Sequence, residues 1–517
     1  MDWVGLLHKI LMTVYTFSLG MVCVYGFHRY VLVYLYYRHR RNVPKPPGHY
    51  AQDQLPMVTV QLPMFNEANV AERVIQATCQ IDYPKDRLQI QVLDDSTDPR
   101  AVEAASRACR QAAAAGFDVQ FIHRQDRTGY KAGALANGLK TAKGEFVTIF
   151  DADFIPEPSI VRKSIDYFLD PRICAVQARW EHLNRNDSML TKTQAIFLDG
   201  HFAIEHVARN RSGRYMQFNG TAGTWRIAAI HDAGGWQHDT LTEDMDLSYR
   251  AQLKAWKFIF LPDLTAPAEL PAEMNAFKAQ QFRWTKGGVQ TAIKILPKIL
   301  LSKAPLKNKI DAFFHLTCFS VHLYVFFLVV MLFPALYIQS VPVENGTPAR
   351  AIFDLLVFTL ATVSATVFYT ASQYELFRDW RTVLKYMPFL MALGIGVSLS
   401  NTKALLEAVF GKKTEFVRTP KFGDGKFVAE QQAETPVPGR RKKRKILPYI
   451  EFACGLYMLF GSGVCLLHLK TAMAAPFLLM FAAGFFYVSI LTWVGMPAGR
   501  KAAAQGRKLQ PARQEVK

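Results

Sequence analysis

Apolar residues crowd into the two ends of this chain, and a polar, alternating stretch lies between them. A helix needs about 20 mostly apolar residues to cross a bilayer. Five windows meet that need: Ile10 to Phe27 (reaching Tyr37 if Arg29 snorkels), Ala312 to Ile338, Ala351 to Gln373, Pro448 to His468 with Glu451 near one end, and Ala472 to Met496. A sixth run, Met387 to Leu399 continuing to Phe410, is interrupted by Asn401 and Lys403 and reads as an interfacial or re-entrant helix. The first window is no cleavable signal peptide, because Arg38, His39, Arg40 and Arg41 follow it where a small-residue cleavage site would stand.

Basic residues mark the cytoplasmic side of a membrane protein. The arginines after Tyr37 therefore put the N-terminus outside and the next segment in the cytoplasm. Val341 to Pro348 carries no Lys or Arg and belongs outside, whereas residues 411–446 carry eleven and belong inside. A full crossing by the 387–410 run would send that basic loop outside, a second reason to read the run as interfacial. The run Arg440 to Lys445 reads as membrane-surface contact and topology rather than RNA binding. The expected order is a membrane helix and basic flank (1–41), a cytoplasmic unit (42–310), a helix pair (311–386), an interfacial helix and basic loop (387–447), a second helix pair (448–498) and a basic tail (499–517).

Within 42–310 the period changes. After a Pro-rich entry (Pro44, Pro46, Pro47), β-rich runs at Met57 to Leu62, Leu88 to Leu93, Val119 to His123 and Phe146 to Phe150 alternate with helical runs at Asn69 to Gln80 and Ala101 to Ala115. Strands separated by helices predict an α/β unit with a mostly parallel sheet.

Composition narrows the class. Of 517 residues half are apolar, which excludes a disordered chain, a collagen-like fibre and a small disulfide scaffold. The formal charge of +19 suits a nucleic acid, an anionic membrane surface or an anionic substrate. Seven cysteines stand without a CxxC pair and read as buried thiols facing a reducing compartment.

Candidate chemistry gathers at strand ends, where ligands bind in open α/β sheets. One strand runs into Asp94 and Asp95, another into Asp151 and Asp153. Acids gathered in one crevice need a cation, and an Asp-x-Asp pair offers hard oxygens for Mg²⁺ or Mn²⁺, with phosphate oxygens completing the shell. Taken singly, such residues are more often turn or cap residues. Asp244 begins a helical stretch where backbone N–H groups can hold its carboxylate as a general base. Further on, Arg283 can fork onto a diphosphate, and Trp284 offers a flat face to a sugar ring. Trp180, Trp225 and Trp236 fit either an acceptor platform or an ordinary core.

Taken in order, QLPMFNE (Gln61 to Glu67), VLDDSTD (Val92 to Asp98), GYKAGAL (Gly129 to Leu135), FDADF (Phe150 to Phe154), NGTAGTWR (Asn219 to Arg226), TEDMDLSYR (Thr242 to Arg250) and QQFRWTKGG (Gln280 to Gly288) resemble the processive, membrane-embedded glycosyltransferases of family 2. The resemblance is strongest to the plant cellulose-synthase-like A and C enzymes, which make mannan and β-1,4-glucan backbones. It implies a GT-A type, Rossmann-like α/β domain inserted between transmembrane helices. It implies that Asp94 or Asp95 contacts the nucleotide with Lys131 nearby, and that Asp151 and Asp153 hold the metal and donor diphosphate. It makes Asp244 the base, Gln280 and Arg283 braces for the diphosphate, and Trp284 the acceptor cradle. Phe416, Thr419 and Lys421 are similar to part of a gating loop over the nucleotide, although Arg418 stands where that family usually has Val.

The implied partners are a nucleotide sugar, a glycan acceptor, a lipid bilayer and accessory export proteins, with no nucleic acid. The implied setting is a plasma, inner or Golgi membrane. The motifs do not separate UDP-glucose from GDP-mannose, and the reading leans to UDP-glucose. A transferase that adds one sugar to a lipid, or a non-catalytic nucleotide-binding scaffold or transporter, stays compatible with parts of the pattern.

Overall fold

A computed structural model describes residues 3–340, 348–412, 446–467 and 471–495. The chain opens with a long helix, α1 (Trp3–His39), and then builds a seven-stranded sheet in the order β3-β2-β1-β4-β6-β5-β7. The strands are β1 (Val58–Met64), β2 (Leu88–Asp94), β3 (Asp118–His123), β4 (Phe146–Ile149), β5 (Ile173–His182), β6 (Gly223–Arg226) and β7 (Lys257–Ala268). The four predicted strands are β1 to β4, parallel to one another. β6 runs antiparallel to both β4 and β5, so the sheet is mixed. β1 and β2 are buried at every position, as strands covered on both faces must be.

The predicted helices are α2 (Ala68–Cys79) and α3 (Pro99–Ala114). Asp98 sets the start of α3: its carboxylate accepts from the Arg100 N–H at 3.0 Å, and Pro99 occupies the first turn. These two helices cover one face of the β1–β2–β4 core. Next come α4 (Tyr130–Leu139), α5 (Ile160–Ile165), α6 (Met189–Asp199), a π-helical stretch Gly200–His206, α7 (Val207–Arg211), α8 (Ile227–Asp232) and α9 (Glu243–Leu253). The other face of the sheet packs on α4, α6 and the π-stretch, and through them on α1 and the later helices.

α10 (Met274–Leu301) leaves the sheet domain and turns sharply into α11 (Leu306–Thr317). The rest is helical: α12 (Val321–Ser340), α13 (Pro348–Phe377), α14 (Trp380–Gly396), α15 (Ser398–Val409), α16 (Leu447–Leu467) and α17 (Ala475–Val494). Among the described residues, five helical stretches are long and apolar enough to cross a membrane: Gly5–His39, Leu306–Leu336, Trp380–Val409, Leu447–Leu467 and Ala472–Val494. The predicted Ala351 to Gln373 window lies inside the 30-residue α13.

The 380–409 stretch, which holds nearly all of the 387–410 run read above as interfacial, thus also has the length and composition of a span. It is two helices meeting at Val397, and 56% of its apolar window is buried in protein. Close backbone approach fixes it: a Cβ on Gly396 would fall 2.3 Å from Gly484 O, and one on Gly484 2.6 Å from Ala392 O. Small residues permit such helix contacts where a hydrophobic driving force is absent.

All seven cysteines are free. Cys109, Cys174 and Cys465 are buried as expected, but Cys23, Cys79 and Cys454 are half-buried and Cys318 is exposed.

Candidate active site

One cavity opens at the carboxyl edge of β1, β2 and β4, and each of the seven motifs contributes to its lining. Asp94 and Asp95 part company there. Asp94 is buried: Oδ1 accepts from Ser96 Oγ at 2.5 Å, and Oδ2 is 2.7 Å from His123 Nδ1. Its oxygens are occupied in fixing the turn after β2. Asp95 lines the cavity, held by Arg124 through Nε (2.7 Å) and Nη2 (2.5 Å). Beside it, the Arg127 guanidinium lies 3.3 Å from the Phe65 ring centre, and both residues line the cavity with Tyr130.

Asp151 and Asp153 follow β4 and both line the cavity. Lys131, from the first turn of α4, reaches Asp151 Oδ1 at 2.5 Å and Gly220 O at 3.0 Å. Burial opposes its charge, yet Asp151 and Glu243 together hold its pKa above the ordinary lysine value. Among the described residues no three His, Cys, Asp or Glu side chains gather to hold a metal. Two carboxylates nonetheless fit Mg²⁺ or Mn²⁺, which commonly bind through one or two carboxylates with substrate phosphates completing the shell.

Asp244 stands at the start of α9, and its Oδ1 accepts from the Met245 N–H at 2.8 Å. Gly220 makes room for it. With φ of +80° and an imagined Cβ 2.9 Å from Asp244 Oδ2, this position excludes a side chain. Desolvation and the adjacent Glu243 carboxylate push the Asp244 pKa up to about 7, against Lys131 and Arg283, which hold it down. Asp246, two residues on, turns away and is fully buried between Arg250 (2.7 Å) and Lys294 (3.0 Å).

Gln280, Arg283 and Trp284 enter the cavity from α10. The glycines ending that motif have a packing role. A Cβ on Gly287 would sit 2.7 Å from Thr242 Cγ2, and one on Gly288 2.1 Å from the Phe319 ring. α10 can therefore press against both the Asp244 loop and the start of the membrane helices. Of the other tryptophans only Trp180 lines the cavity, beside Phe154 and Phe202; Trp225 and Trp236 are core, edge-on to each other at 6.2 Å. Phe416, Thr419 and Lys421 lie outside the described residues.

Asn219 opens the NGTAGTWR motif, and the fold gives it a specific setting. It lines the cavity, and its side-chain amide is clamped by the π-stretch: Oδ1 is 2.6 Å from His206 Nε2 and Nδ2 is 3.0 Å from His201 Nε2. His201 Nδ1 is in turn 2.9 Å from Glu205 Oε2. Burial and the neighbouring His201 hold the His206 pKa well below the usual range, so His206 is neutral and donates through Nε2. Asn219 then donates to His201, which leaves its second amide hydrogen for the cavity. π-turns often mark functional positions, but no spacing in the sequence announces one. Glu67 and Glu243, each inside a motif but given no role by the sequence, and Arg127, outside every motif, also line the cavity.

An α/β sheet with a carboxylate-rich cavity at its carboxyl edge, joined to helices long and apolar enough to cross a membrane, is the arrangement of an enzyme site set beside candidate membrane spans. The family described as "Glycosyltransferase like family 2" matches residues 56–287, the stretch that carries the cavity. The chain is 35% identical to a probable glucomannan 4-beta-mannosyltransferase 15 of Arabidopsis thaliana over 449 residues, 83% of this chain and 79% of that protein. It is 35% identical to glucomannan 4-beta-mannosyltransferase 1 of Cyamopsis tetragonoloba, over 85% of this chain and 80% of that one. Among solved structures, a Pyrobaculum calidifontis mannosyltransferase in complex with GDP-Man and Mn²⁺ shares the fold, with a TM-score of 0.50 and 21% identity over 76% of this chain and all of that one. The chain belongs to family 2 of the glycosyltransferases, with relatives among the plant glucomannan mannosyltransferases.

Proposed function

We propose that this protein is a membrane-embedded inverting mannosyltransferase that extends a β-1,4-linked mannan from GDP-mannose. The lean to UDP-glucose yields here, because the relatives that match over most of their length are named for mannosyl transfer. The observation that carries the reading is Asp244: a carboxylate with a pKa near 7, anchored at a helix start, across from Lys131 and Asp151 in one cavity. A general base works best when its pKa lies near the working pH.

In this mechanism Trp284 and Asn219 hold the acceptor sugar, and Asp244 takes the proton of its 4-hydroxyl as oxygen attacks the anomeric carbon. The attack comes from the face opposite the diphosphate, which inverts an α-linked donor to a β-linkage. Gln280, Arg283 and Lys131 stabilise the charge that builds on the departing diphosphate. A Mg²⁺ or Mn²⁺ held by Asp151 and Asp153 adds Lewis-acid neutralisation there when bound. Asp95, Arg127 and Phe65 take the nucleoside end, and Asp94 is a positioning residue. The catalytic domain faces the cytoplasm, and 380–409 lies at the interface.

The test is a donor screen on the purified full chain with Mg²⁺ or Mn²⁺, reading nucleotide release and digesting the product with linkage-specific glycanases. GDP release from GDP-mannose and a product cut by β-mannanase are expected. Asp244→Asn should retain donor binding and lower turnover by roughly 10²- to 10⁴-fold. Release from UDP-glucose alone, or turnover surviving in the variant, overturns the donor or the base respectively.

A further inference from the structure

The turn between α10 and α11 exposes a cluster of large apolar side chains. Leu301 is 88% exposed and Leu306 71%, with Leu300, Ile310 and Phe313 also open to solvent. On α11 the three fall at i, i+4 and i+7 and form one face, while Ala312, His315 and Leu316 on the opposite face are buried. Lysines stand between these apolar residues. Residues 294–310 hold five Lys and no Asp or Glu. Lys294 is committed to Asp239 and Asp246, but Lys307 donates to Ser212 O at 3.0 Å and Lys309 to Leu300 O at 2.8 Å, backbone carbonyls rather than carboxylates. Positive charge extends to the adjoining turn, where Arg214 follows Gly213, and to the basic last turn of α1 (Arg38, His39), tied in by Asn42 Nδ2 donating to Arg211 O at 3.4 Å.

We infer that this corner is a docking surface for anionic lipid headgroups, independent of the reaction assigned above. Two features select a bilayer as its occupant. The exposed face forms the first turns of the candidate span Leu306–Leu336, so the corner sits at the end where that helix would reach the membrane boundary. The pattern of exposed leucines with lysines bonded to backbone carbonyls rather than carboxylates is that of an interfacial segment, apolar side chains in the acyl boundary and ammonium groups among phosphates. Anionic leaflets attract each such lysine, and salt weakens the attraction. The same helix, α10, carries Gln280, Arg283 and Trp284, so headgroup binding braces one wall of the cavity.

The test is hydrogen–deuterium exchange on the full chain in nanodiscs of phosphatidylcholine alone and with phosphatidylglycerol added. We expect backbone amides of 298–312 to exchange severalfold more slowly in the anionic discs. That difference should vanish at about 1 M NaCl, where the Debye length is ~3 Å, and in the Lys303→Gln, Lys307→Gln, Lys309→Gln triple variant. Equal exchange in the two membranes overturns the inference. So does a difference that survives both salt and the triple variant. The readout needs no turnover, so a failed donor screen leaves it interpretable, and the salt arm stands even if the variant folds poorly.

Discussion

Asp244 titrates among charges of both signs, and its neighbours fix the direction of the pH effect. Burial and Glu243 raise its pKa to about 7, so a fraction of the carboxylate is protonated at neutral pH and cannot act as a base. Activity is therefore lost as pH falls through about 7 and levels off above it. A kcat/KM profile on the detergent-solubilised protein checks this, and a flat profile between pH 5.5 and 8.5 (about one and a half units to each side) would remove Asp244 from the role. Asn219 gives a second prediction. Asn219→Ala should raise the acceptor KM and leave the donor KM unchanged. His206→Ala should do the same by releasing the amide, and His206→Gln should recover part of the loss by restoring a donor. If all three variants move donor and acceptor KM together, the clamp serves only the fold. The acids themselves were legible as motif residues. Their division of labour was not, because Asp94 and Asp95 differ by a hydrogen-bond environment that only the folded turn creates.

At the scale of elements, α10 is the connection between chemistry and membrane. Lys278 on its first half donates to both oxygens of Glu451 on α16, at 2.7 and 2.8 Å, and both side chains are buried. A lone Glu near the start of an apolar window is costly to bury and needs a partner. Removing one member of a buried pair leaves the other charge uncompensated, at a cost of about 3–5 kcal/mol. Lys278→Met should therefore lower thermal stability sharply. The double variant Lys278→Met, Glu451→Leu should recover most of it, since an apolar pair of similar volume replaces a desolvated ion pair. A thermal melt of the three proteins in one detergent decides it, and a double variant no more stable than the single would show that the pair does more than cancel charge.

At the scale of the whole molecule, the proposed interfacial course of 380–409 fixes the side on which α16 begins. If it lies along the interface, Ile446, exposed at the start of α16, is on the same side as the catalytic sheet. If it crosses in addition to α12 and α13, Ile446 is on the opposite side. Ile446→Cys and Arg100→Cys, at an exposed position of α3, should both react with a membrane-impermeant maleimide from one face of sealed vesicles, above the background of the parent protein. Labelling from opposite faces would make 380–409 a span. The helices settle this less directly than the charges do, because a stretch buried against α13 and α17 satisfies its apolar side chains in either arrangement.

The sequence by itself determined what depends on near neighbours along the chain: strands β1 to β4, helices α2 and α3, the apolar windows, and the motifs that place acids at strand ends. Period, capping and composition are local, and local physics suffices for them. Tertiary structure decided what depends on residues far apart. β6 had to pair antiparallel between β4 and β5 for Gly220 to face Asp244. The π-stretch had to meet Asn219 across a fold. Gly287 had to lie against Thr242 before its missing side chain meant anything. Each of these is a contact whose energy exists only after the chain closes a long loop, and no periodicity in the sequence encodes it.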